Sequence, residues 1–284
     1  MFIKPFINKI YYNLLMPNVE VMSILSTINL IKKRHLNVIR FGDGEFEIIS
    51  GGHISYQENN VDLAKELESI LLMPDDKKAL ICVPGVFNGM VDYTDKSKKY
   101  WLDCLRLRRK LIKKIHKTNY VYGNSMISRP YMDFNDKENV GEIFRNLKSI
   151  WSNKNILIVE GENTRSGVGN DLFGSAKKIS RIICPSHDAF LKKQEIEEKI
   201  LLHKNNCLIL LMLGPTAKII TKELGYIDNQ IIDIGHIDSE YEWYRHGFTE
   251  KRQLTNKETA EVESTELQPV SDPQYYKQIV DVVR

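Results

Sequence analysis

Long apolar runs are missing from this chain. The longest, residues 207–213, is strand-sized and far short of the roughly 18 residues that a bilayer-spanning helix needs, so a membrane-crossing chain is not expected. Residues 1–15 are interrupted by Lys4, Pro5, Asn8, Lys9 and Asn13 and lack a small-residue cleavage site, which does not read as a secretory leader. Cysteine is scarce: Cys82, Cys104, Cys184 and Cys207 stand far apart in apolar contexts with no Cys-x-x-Cys pair. That argues against a disulfide frame or zinc site and suits reduced core thiols in a cytoplasm. Charge of one sign is also missing, since 40 Lys and Arg face 37 Asp and Glu for a net +3, and so small a balance gives no ground for nucleic-acid binding. Walker, Gly-x-Gly-x-x-Gly and nucleophile-elbow patterns are absent, which leaves P-loop and serine-hydrolase chemistry without support.

What is present is an ordinary globular balance, 42% hydrophobic and 27% charged residues in 284, enough to bury a core. Short runs rich in Ile, Val and Leu at 36–41, 79–83, 120–122, 155–159, 179–184, 207–213 and 230–234 read as buried strands. Between them, 61–73, 100–117, 140–151, 188–203 and 217–224 carry helical periodicity. The alternation predicts an α/β fold, a mostly parallel sheet flanked by helices, with ligands at the carboxyl ends of the strands. Residues 1–34 are expected as two helical segments parted at Pro17 and 35–248 as the main domain. Residues 249–284 read as a polar connector ending in a short helix that docks on the body or on a second copy, as in a homodimer. The basic stretch 100–117 suits either contact with an anionic membrane surface or, the preferred reading, the solvated face of a scaffold helix.

Four segments after predicted strands carry chemistry. In Arg40-Phe41-Gly42-Asp43-Gly44-Glu45, two carboxylates set two residues apart around a glycine suit a hard cation, Mg²⁺ or Mn²⁺, bridging to phosphate; an Asp-Gly turn leading into a helix uses the same residues. Between Glu160 and Asp171, Arg165 with Gly167, Gly169, Asn170 and Asp171 forms either a phosphate or sugar loop or a ligand-free surface loop. Gly214, Pro215 and Thr216 join the most apolar strand to a helix, as a phosphate-holding turn or as plain punctuation. Residues 233–244 gather His236, Asp238, Glu240 and Glu242 with Tyr241, Trp243 and Tyr244, a set able to supply a metal ligand, a general base or a stacking surface, or to serve structure alone.

Together the four segments resemble the bacterial glycosyltransferases of the GT-D fold over residues 20–248, in order: Arg-Phe-Gly-Asp-Gly-Glu, Gly-Val-Gly-Asn-Asp-Leu-Phe, Leu-Gly-Pro-Thr-Ala, and Asp-Ile-Gly-His-Ile-Asp-Ser-Glu-Tyr-Glu-Trp. The resemblance implies a Rossmann-like domain that transfers a hexose, typically glucose from UDP-glucose, with Mn²⁺ or Mg²⁺ at an Asp-x-Glu motif. On this sequence that motif is Asp43 and Glu45. Acceptors in the family are glycans on adhesin glycoproteins or surface-polysaccharide precursors. On that footing His236 is expected to complete the metal shell, Arg165 to assist the leaving diphosphate, and Asp238, Glu240 or Glu242 to act as base. A phosphoester hydrolase and a non-catalytic nucleotide-sugar-binding module are the competing readings.

Overall fold

The structure is a computed structural model, and it describes residues 19–74, 77–259, 262 and 267–284. The expected first helical segment and its break at Pro17 lie outside these residues.

Eight strands form one sheet: β1 (Asn37–Arg40), β2 (Ala79–Val83), β3 (Gly123–Asn124), β4 (Asn155–Gly161), β5 (Lys178–Cys184), β6 (Leu208–Met212), β7 (Ile231–Asp233) and β8 (Ile279–Val282). Every ladder is parallel, in the order β3-β2-β1-β7-β6-β4-β5-β8. A parallel sheet must be covered on both faces, and the central strands show it. In β6 and the residue after it, Leu208, Leu210 and Met212 enter one core while Ile209, Leu211 and Leu213 enter another. The alternation follows the two-residue period of a strand.

One face is packed by α1 (Ile24–Arg34), α6 (Val140–Trp151) and α9 (Ile237–His246). The other carries α3 (Val61–Leu72), α4 (Asp95–Leu107), α5 (Arg109–Lys117), α7 (Lys193–His203) and α8 (Thr216–Glu223). The stretch read as one helix over 100–117 breaks at Arg108, whose φ of −105° and ψ of 25° leave the helical region. In α5, Leu111, Ile112 and Ile115 are buried while Arg109, Lys110, Lys113 and Lys117 are exposed. The strand expected at 120–122 begins three residues later, at Gly123, and Tyr122 makes only an isolated bridge to Val21.

Residues 249–284 depart most from expectation. Leu254, Lys257 and Thr259 are buried, so 251–259 is a strap laid on the body rather than a free connector. The helix α10 (Pro273–Gln278) forms, and β8 follows it as an eighth strand on the edge of β5, docked on the body of the same chain.

Candidate active site

Strands β1 and β7 are neighbours although they come from opposite ends of the chain, and from them the sheet runs outward in two directions. At such a switch point the loops after the strands diverge and leave a crevice. It holds a cleft of about 270 Å³, lined by residues following β1, β4, β6 and β7 and by 54–57.

The floor is a charge cluster. Asp233, at the end of β7, is 1% exposed. It accepts from the Arg40 guanidinium (Nη2 to Oδ1, 3.0 Å) and from the Lys218 ammonium (3.0 Å). Burial pushes the Asp233 carboxyl upward, but the two cations outweigh it and hold the group below the ordinary carboxylate range. Arg40 spends its other donors inside the protein, on the Asp233 carbonyl (2.8 Å), Ser128 Oγ (2.5 Å) and the Ser125 carbonyl (3.3 Å). Expected to bind substrate, it instead braces β1 against β7 from the cleft wall. Lys218 also donates to Glu45 (2.9 Å) and to the Gly214 carbonyl (2.9 Å). Two glycines make this packing possible: Gly235, at φ +43°, leaves space for Arg40, and Gly214, at φ +50°, lies under the Tyr56 ring, which a Cβ would meet at 2.6 Å.

Asp43 and Glu45 both line the cleft, each with contacts of its own. The segment Asp43–Ile49 is a helix, α2, rather than an open turn, and residues two apart on a helix face different ways. Glu45 folds back to accept from the Gly42 N–H (2.7 Å) and from Lys218, whereas Asp43 Oδ2 accepts from the Tyr100 hydroxyl of α4. His236 lines the cleft at the start of α9. Among the described residues, however, no three His, Cys, Asp or Glu side chains are grouped to hold a metal ion, so the three expected ligands do not close a shell. A Mg²⁺ or Mn²⁺ ion carried by a diphosphate makes a lesser demand, because it takes one or two carboxylates and fills its sphere with phosphate oxygens and water. Asp43, whose Oδ1 has no partner among the described residues, and Glu45, shared with Lys218, fit that demand.

The acids on α9 are committed to structure. Asp238 lines the cleft, yet its oxygens accept from the Gly167 N–H (2.7 Å), the Asn170 amide (2.8 Å) and the Lys257 ammonium (2.7 Å). Glu242 takes Asn170 (2.6 Å) and Lys257 (3.2 Å). Glu240 is fully buried, accepts from the Tyr131 and Met132 N–H groups, and is pushed by burial up to about 7. Of the three, Asp238 alone lines the cleft, and both of its oxygens have donors.

The glycine-rich loop is likewise a bracket behind Asp238. Arg165, Gly167, Gly169, Asn170 and Asp171 do not line the cleft. The Arg165 guanidinium donates to the carbonyls of Asn256 (2.7 Å) and Gln268 (2.7 Å), facing the C-terminal segment rather than a diphosphate. Asp171 is held near 2 by hydrogen bonds from Lys148 and Tyr241. Gly42, Gly44, Gly214 and Pro215 reach the cleft, while Thr216 is buried beneath it. Sequence reasoning missed Lys218, Tyr56, Ser166, Ser186 and Glu258. Only Lys218 left a signal, as a lysine among Ala217, Ile219 and Ile220 in a helix with little polar face.

A parallel sheet with a charged cleft at its switch point is the architecture of a Rossmann-like ligand-binding domain. The sequence profile described as "Glycosyltransferase GT-D fold" matches residues 38–262, and the chain belongs to that family. The match runs past residue 248 and takes in the strap. Among curated relatives, "Probable glycosyl transferase Gly" of Streptococcus gordonii is 40% identical over 263 residues and "Glycosyltransferase GlyD" of Streptococcus pneumoniae serotype 4 is 38% identical over 263. Each alignment covers 92% of this chain, which spans only 38% and 32% of those relatives' lengths. A solved domain described as "The highly conserved domain of unknown function 1792 has a distinct glycosyltransferase fold" superposes with a TM-score of 0.89 at 42% identity, covering 94% of this chain and 96% of that one. "A New Glycosyltransferase (DUF1792) from Streptococcus sanguinis" superposes with a TM-score of 0.89 at 39% identity, covering 94% and 100%.

Proposed function

We propose that the chain transfers a hexose, glucose as the family default, from a UDP-sugar to a hydroxyl of a glycan or glycoprotein acceptor, with a divalent cation. The observation that carries the donor reading is Asp43, an acid on the cleft whose Oδ1 has no partner among the described residues, in the same cleft as Lys218, a buried ammonium anchored to Glu45, Asp233 and Gly214. The three donors of Lys218 are spent on those groups, so it fixes Glu45 and Asp233 on the cleft floor rather than binding the diphosphate itself. Asp43 and Glu45 would hold the cation, which when bound adds Lewis-acid neutralisation of the leaving group. Tyr56, against Gly214, and Trp101 bring aromatic faces to the same cleft for a base or sugar ring. An adhesin glycan or a surface-polysaccharide precursor as acceptor rests on the family resemblance alone.

The test is incubation of the chain with UDP-glucose and Mn²⁺, with and without glycan acceptors, reading UDP release and product mass. Acceptor-dependent release supports the proposal. Equal release in both arms marks a phosphoester hydrolase, and UDP-glucose binding without any product marks a binding module. Asp43→Ala is expected to abolish Mn²⁺-dependent transfer with an unchanged melting midpoint, and near-full activity in that variant would take the cation away from Asp43.

A further inference from the structure

Among the described residues four acids line the cleft: Glu45 is held by Gly42 and Lys218, Asp238 by three donors, and Asp43 by Tyr100 at one of its two oxygens. The fourth is Glu258. It is half-buried, and among the described residues its carboxylate has no hydrogen-bond or ion-pair partner. Its backbone is nevertheless fixed. The Glu258 N–H donates to the Asn163 carbonyl (2.9 Å), the preceding Lys257 is buried in its pairs with Asp238 and Glu242, and the following Thr259 is buried. The strap therefore presents to the cleft, from a held main chain, a carboxylate without a partner among the described residues.

The loop that Glu258 docks on supplies the second observation. Ser166 is fully buried and lines the cleft, and its hydroxyl has no partner; the buried hydroxyl of Ser186, also on the cleft, has none either. Gly161 packs closely against Ser186, since a Cβ there would lie 3.2 Å from both Ser186 Oγ and Thr164 Oγ1. Buried hydroxyls without partners cost free energy, and two on one cleft wall are explained by a ligand that hydrogen-bonds them. A polyol is the chemistry that meets hydroxyls and a carboxylate together.

We propose that Ser166, Ser186 and Glu258 form the acceptor-sugar subsite and that Glu258 is the catalytic base. In this step the acceptor oxygen forms a bond to the sugar's anomeric carbon, and the bond from that carbon to the diphosphate oxygen breaks. The electron pair leaves on UDP, while the acceptor hydroxyl proton passes to the Glu258 carboxylate and then to water. The assignment rests on the transfer reading above.

The test uses the full chain with UDP-glucose, Mn²⁺ and an acceptor that wild type glucosylates. Glu258→Gln is expected to keep the wild-type melting midpoint and the thermal shift caused by UDP, and to lower kcat by about 10²–10⁴-fold, the usual contribution of a positioned base. Ser166→Ala and Ser186→Ala are expected to raise the acceptor KM while leaving the donor KM within about twofold. A Glu258→Gln chain that transfers within about threefold of wild type overturns the assignment and leaves the transfer reading intact. A Glu258→Gln chain that loses the UDP shift also overturns it, by placing Glu258 on the donor. A wild-type chain that releases UDP equally with and without any acceptor overturns both.

Discussion

Replacing Lys257 by Met tests whether the strap is part of the enzyme's architecture. The Lys257 side chain is 6% exposed, and its ammonium lies 2.7 Å from Asp238 and 3.2 Å from Glu242, themselves 6% and 10% exposed. Methionine keeps most of the stem's volume, so what is lost is the charge, and two buried carboxylates are left facing one another. Breaking a buried ion pair from one side costs about 3–5 kcal/mol. The lower end applies here, because Asp238 keeps Gly167 and Asn170 as donors and Glu242 keeps Asn170. A loss of about 3 kcal/mol is a large share of the roughly 5–15 kcal/mol that holds a native domain. Urea unfolding at pH 7, followed by tryptophan fluorescence, reads it directly. Adding Asp238→Asn and Glu242→Gln to the Lys257→Met chain is expected to recover most of the loss, since coupled neighbours do not add. A Lys257→Met chain within about 1 kcal/mol of wild type at pH 7 would refute the account, because the pair would then hold nothing that the remaining donors do not.

Two further outcomes follow from the geometry. Glu240 is fully buried with its pKa raised to about 7 and one carboxyl oxygen without a partner, so its ionisation destabilises the fold increasingly as pH rises from the unfolded value near 4.5 through 7. Glu240→Gln, which preserves an acceptor for the Tyr131 and Met132 amides, is expected to raise the melting midpoint at pH 8 and to change it little at pH 5; a lower midpoint at pH 8 would show that the charged form is the one the fold prefers. Gly214→Val places a β-branched side chain at φ +50° and drives a Cβ into the Tyr56 ring, so UDP-induced thermal shifts are expected to shrink, and a shift equal to wild type would remove Tyr56 from the donor site.

The sheet was legible because its strands are short and continuously apolar. All seven runs read as strands lie at or within a residue or two of a ladder, and the loops after 36–41, 207–213 and 230–234 do border the cleft. Roles inside those loops were harder to read, because composition names a charged residue without showing whether its charge is already spent. Arg40, Asp238 and Glu242 have the residue types of a binding site, yet their polar atoms are saturated by partners up to 193 residues away in the chain. Asp43 and Glu45 were read as one chelating pair on a turn. The same acids at the first and third positions of a helix are pulled apart by its 3.6-residue period, a consequence visible only once the helix is known.

The strap is the clearest case of composition misleading. Its Lys, Glu, Thr, Asn and Gln content matches a solvated linker, and nothing in 249–259 is apolar except Leu254. What makes it structure is the complementary charge of α9, where Asp238 and Glu242, four residues apart on one helical face, need a buried cation. Once Lys257 fills that need, the residue beside it is carried to the cleft wall, and a carboxylate there without a partner among the described residues comes from the segment that composition alone would discard. An electrostatic demand inside the body thus selects which part of a polar tail folds, and the chemistry available to the cleft depends on that selection.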